Sequence, residues 1–130
     1  MRTRFLIGII LVCAGCATSQ QLMEYFQHLD REEEKISGQL ALKIVTLTTQ
    51  YAAGPESAES IGHAVASECH PEINALVALQ AERLRMQVSD ESIAVRWRLK
   101  QMDQQREWVW RFAVAEVVKI RSEHPRDPRK

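Results

Sequence analysis

Residues 19–52, SQQLMEYFQHLDREEEKISGQLALKIVTLTTQYA, decide the fold. Leu22, Phe26, Leu29, Ile36, Leu40, Ile44, Leu47 and Tyr51 recur every three or four positions, so on a helix they make one continuous apolar stripe. Glu33 falls inside that stripe, and the charged run at 30–35, DREEEK, reads as a solvated face. Thr18 and Gln21 stand at capping-box spacing before the stripe, and Gly54 and Pro55 stop it. A helix of this length reaches roughly 50 Å, long for a small domain.

A second long helix is expected over 90–121, with Ser89 as its cap. On a wheel of about 100° per residue, Val95, Leu99, Met102, Val109, Trp110, Ala113, Val114, Val117 and Ile120 fall in one arc, the expected core stripe. Arg106 interrupts that arc. A buried arginine requires a carboxylate partner, and Glu33, the polar break of the first helix, is the candidate.

Between the long helices the chain divides into a short pair. Pro55 suits the first turn of one, with Glu56 and Glu59 near its amino end and Ile61, Val65 and Cys69 along one side. His70 and Pro71 break it, and Pro71 with Glu72 restarts a helix whose stripe is Ile73, Leu76, Val77, Leu84 and Val88. The expectation is an all-α fold, a small helical bundle of two long helices and a proline-broken middle pair, running up, down and up with short connections. The polar tail at 123–130 lies beyond it.

Composition agrees with this class. The hydrophobic fraction is 45%, enough for one globular core, and 5 glycines and 4 prolines leave helices largely uninterrupted. Net charge is zero, yet residues 16–82 hold 10 acidic and 3 basic side chains, and residues 83–130 hold 7 acidic and 12 basic ones. Either the two halves pack together and their fields cancel, or the basic half faces an anionic lipid or polymer surface.

The amino terminus carries an address. In MRTRFLIGIILVCAGC, Arg2 and Arg4 form a basic start, residues 5–12 an unbroken apolar run, and Ala14 and Gly15 a small-residue end. The run is too short for a bilayer core, which needs about twenty residues, and has the pattern of a cleaved export signal. Its end resembles the lipobox of bacterial lipoproteins, in which two small residues precede a cysteine, here Cys16. Cys13 stands where that family usually has an aliphatic residue. The resemblance covers the signal alone. It implies a signal peptide over 1–15 cut after Gly15, and lipid on Cys16 that holds the domain over 16–122 to a membrane. With Ala17 after the anchor, it points to the periplasmic side of an outer membrane. Ordinary secretion with nearby cleavage is the alternative. An exported protein is not expected to meet nucleic acid.

Few residues in the mature chain suggest chemistry. Trp97, Trp108 and Phe112 fall on the wheel face opposite the core stripe, beside Arg111 and Lys119. That combination suits a protein interface or a headgroup region, unless another helix covers it. Cys69 is the odd cysteine, either a buried thiol or an intermolecular disulfide that would make a homodimer. His63 and His70, with Glu59 one turn before His63, lack the short histidine spacings of metal sites, and His28 and His124 have no partners at ligand spacing. No catalytic residue, metal or cofactor is assigned. The functional expectation is a small lipid-anchored envelope protein acting as a non-enzymatic accessory or protein-interaction module. The alternatives are a structural or membrane-surface lipoprotein using its basic half and, behind it, an unrecognised enzyme or metal-binding protein.

Overall fold

The computed structural model describes the backbone of residues 2–125 and the side chains of residues 19–125. The expected anchor Cys16 and the expected cleavage position Gly15 have side chains outside that set, and most of the polar tail lies outside it too. Thr18 does not cap the first helix as its spacing suggested, because the helix runs through it from Arg2 to Ala52. Four helices follow in order, α1 (Arg2–Ala52), α2 (Ala58–Glu68), α3 (His70–Arg85) and α4 (Glu91–Glu123). Among the described residues none is long and apolar enough to cross a membrane.

The chain forms two compact units, Met1–Glu32 and Glu33–Lys130. In the first, the described part of α1 is knit by local bonds one turn apart, Gln20 to Glu24 at 3.2 Å and Arg31 to the Gln27 carbonyl at 3.3 Å. Leu22, Met23 and Tyr25 are exposed there.

The second unit is the bundle. The last turns of α1 run against α2 and α3, which descend together, and α4 rises beside them. The contacts fix these directions: Glu33 meets Gln80 and Arg83, Lys43 meets Glu68 and Glu72, and Ala52 meets Arg121. This is the up, down, up arrangement that the stripe lengths required. Its core takes Leu40, Ile44 and Ala52 from α1, Ile61 and Val65 from α2, Ile73 and Val77 from α3, and Val109, Ala113 and Val117 from α4. Spacings of four residues in α1 and α4 set these side chains one above another on one face.

Local chemistry shifts several boundaries. Pro55 is not in the first turn of α2; Ser57 caps it, its hydroxyl accepting from the Ser60 N–H at 3.1 Å. A serine satisfies an otherwise unpaired amide there, which proline cannot do. The break between α2 and α3 is the single residue Cys69, whose N–H still bonds the Val65 carbonyl at 2.9 Å and whose carbonyl accepts from Ile73 at 3.0 Å. Pro71 sits in the first turn of α3, where its missing N–H costs nothing. Asp90, not Ser89, caps α4 by accepting from the Ser92 N–H at 2.9 Å. A carboxylate there also meets the positive end of the helix dipole.

Val95 and Leu99 overturn the expected α4 stripe, being 48% and 63% exposed. The buried residue at that end is Ala94, with Trp97 packed against the core. On a uniform wheel Val95 lies with Ala113 and Leu99 with Val117. The partner helix changes along α4, however: its first half meets α3, where Arg98 bonds Asn74 at 3.0 Å, and its second half meets α2, where Trp110 and Val114 close on Gly62. The buried face therefore rotates along the helix. One wheel cannot describe it.

Candidate surface and groove on helix α4

Trp108 and Phe112 lie one turn apart on α4, and their rings stack with centroids 5.5 Å apart and planes 19° from parallel. They are 52% and 37% exposed, so the second unit keeps a preformed aromatic platform in water. Arg111 beside them bonds Glu107 at 2.6 Å, an exposed pair one turn long, and Lys119 is exposed two turns beyond Phe112. The expected face thus forms without Trp97. That ring is half-buried against the core, because the N-terminal half of α4 turns this side toward α3.

Trp108 also borders a groove of about 520 Å³ shared by α1, α3 and α4. Leu40, Ala41 and Leu76 supply its apolar lining. Its polar groups are Ser37, Gln80, Gln101, Gln104 and Gln105, and none of the lining side chains carries a charge. Gln101, Gln104, Gln105 and Trp108 stand at i, i+3, i+4 and i+7, a single face of α4. The Gln80 amide nitrogen donates to Glu33 at 2.9 Å, and Arg83 lies 3.5 Å from the other Glu33 oxygen. The sequence showed these glutamines as the run QMDQQ at 101–105, but only the fold brings Gln80 and Ser37 beside them.

These Glu33 contacts replace the expected pair with Arg106. Arg106 is exposed and lines a separate cleft of about 300 Å³ with His63, Asp103, Glu107 and Trp110. Rotation of the buried face along α4 carries position 106 into solvent, so the arginine needs no buried counter-charge. His63 stacks on Trp110 with centroids 5.4 Å apart. His70 occupies the first residue of α3. Among the described residues no group of three or more His, Cys, Asp or Glu could hold a metal ion.

Cys69 is a free, fully buried thiol at the break between α2 and α3. Burial pushes the thiol pKa up, against the pull of the nearby Lys43 charge. Such a sulfur is neither a ready nucleophile nor presented to a second chain, so the intermolecular disulfide considered from the sequence does not fit this fold. Comparison with protein-family models, with curated proteins and with solved structures finds no match.

Proposed function

We propose that this chain is the precursor of a small lipid-anchored envelope protein, and that its helical bundle is a non-enzymatic module that engages a protein partner through Trp108 and Phe112. The address rests on the lipobox-like sequence at 14–16. The carrying observation for the working surface is the stacked, exposed aromatic pair on α4, flanked by Arg111 and Lys119. Aromatic rings and arginine are enriched at binding hot spots, where a rigid ring buries a large area at little entropic cost. Lipid on Cys16 would hold this surface close to the membrane and so restrict its partner to the same compartment.

Two measurements test the reading. Mass spectrometry of the mature protein should find diacylglycerol on Cys16; an unmodified thiol there would remove the anchor. For the surface, Lys119→Cys should give one discrete crosslinked species in the intact envelope, whose mass separates a second copy of the chain from a different protein. Trp108→Ala with Phe112→Ala should abolish that species while helicity stays constant. An undiminished yield would show that the aromatic pair is not the contact.

A further inference from the structure

We propose that the glutamine-lined groove beside Trp108 is a binding site for a neutral, polyhydroxylated ligand, a glycan, with the indole as the platform for a sugar ring. The site shares Trp108 with the proposed protein-binding surface but takes its other groups from the α1 and α3 side of that ring, away from Lys119.

The lining selects the ligand class. Lys, Arg, Asp and Glu make up 26% of the chain, yet none of them lines the groove. A phosphate, carboxylate or ammonium group entering it would lose water and meet no counter-charge. What the groove offers is amides, each able to donate and accept at once. The side-chain amides of Gln101, Gln104 and Gln105 have no hydrogen-bond partner among the described residues, so all three are open to a ligand. Gln80 gives one N–H to Glu33 and keeps its other N–H and its carbonyl oxygen. A sugar hydroxyl likewise donates and accepts, and matches these groups without a change of charge state.

Geometry supports the same ligand. The amides and Trp108 extend along about 10 Å of one helix face. Phe112 backs the Trp108 ring and holds its plane, while half of that side chain stays open to solvent. A pyranose presents an apolar C–H face to such a ring and hydroxyls around its edge, where the amides stand. The volume of about 520 Å³ falls within the usual range for small-molecule sites. A helical peptide fits less well, since it satisfies its backbone internally and would leave the amides unused.

The test is titration of the lipidated protein in a zwitterionic detergent with neutral β-linked tetrasaccharides, one N-acetylated and one not, followed by tryptophan fluorescence and calorimetry. Binding of either sugar, weakened about tenfold by Gln101→Leu and again by Gln105→Leu, and lost in Trp108→Ala, is the expected result. The glutamine variants should leave the Lys119→Cys crosslink unchanged, which separates this site from the protein-binding reading. No saccharide binding in the millimolar range, or binding indifferent to Gln101→Leu, overturns the proposal. So does tighter, glutamine-dependent binding of an extended neutral peptide.

Discussion

Lys43 on α1 holds both carboxylate oxygens of Glu72 on α3, at 2.9 and 3.0 Å, and donates a further bond of 2.6 Å to the Glu68 carbonyl at the end of α2. One ammonium therefore ties three helices at the break around Cys69. Burial raises the Glu72 pKa, but the hydrogen bond and charge of Lys43 outweigh it and hold the carboxyl below its ordinary value. Lys43 is raised, chiefly by its bond to Glu72.

These shifts give a pH dependence with a definite sign. A carboxyl whose folded pKa is depressed contributes stability above its unfolded pKa and loses it as pH falls through the folded one. A lysine whose folded pKa is raised contributes below its unfolded pKa and loses it as pH rises through the folded one. The pair thus stabilises a broad plateau that falls away in acid, from about pH 5 downward, and in strong alkali. Urea midpoints across the acid limb should decline less steeply in Glu72→Gln than in wild type. Parallel limbs would show that the pair is energetically idle. At neutral pH, Lys43→Met should cost about 1 kcal/mol, less than a buried charged bond because both groups are partly exposed.

At Gly62, α2 passes close against α4. A Cβ there would lie 2.7 Å from Val114 Cγ2 and 2.8 Å from Trp110 Cδ1. Alanine would ordinarily strengthen a helix by up to about 1 kcal/mol over glycine. Here the overlap with a branched side chain and a ring should outweigh that gain, for a net loss of about 1–2 kcal/mol. Thermal denaturation of Gly62→Ala measures it, and the near-ultraviolet signal of Trp110 should change with it. A more stable variant would mean that the two helices separate easily.

Those two contacts mark what could be read before the fold was known. Helix number, the two long elements, the descending middle pair and most core residues of α1, α2 and α3 follow from periodicity and from two proline breaks, because each signal is local. Leu22 is nevertheless exposed, and Val88 lies beyond the end of α3. The aromatic pair was legible for the same reason, since Trp108 and Phe112 are one turn apart. Trp97, Val95 and Leu99 were misplaced because the helix facing α4 changes from α3 to α2 along its length, a tertiary fact that no wheel contains. The groove was illegible for a like reason. Gln80 and Ser37 reach it from other helices, and uncharged amides carry no motif.

Cys69 yields a chemical prediction. Its sulfur is fully buried and its thiol pKa raised by that burial, so little thiolate is present and no reagent reaches it in the folded state. A disulfide reagent should label it only when the break between α2 and α3 opens, with rates that rise in urea alongside unfolding. Non-reducing gels should show no dimer through this residue. Rapid labelling in native buffer would place the thiol at the surface and reopen the bridge to a second chain. Cys69→Ser should destabilise by about 1–3 kcal/mol, since a hydroxyl at that depth lacks an assured partner.

Thr48 offers the opposite sign. It is 1% exposed in the row of α1 that holds Ile44 and Ala52, and its hydroxyl oxygen has no hydrogen-bond partner among the described residues. Two exposed threonines beside it, Thr46 and Thr49, each bond the carbonyl four residues back at 2.8 Å, so the helix itself permits such a bond and Thr48 does not form it. An unsatisfied buried hydroxyl costs about 1–3 kcal/mol, and valine keeps the branched shape while removing it. Thr48→Val should therefore stabilise the bundle by about 1 kcal/mol, raising the urea midpoint without changing the slope of the transition. A loss of stability would mean that the hydroxyl is satisfied after all, by a buried water that valine would displace.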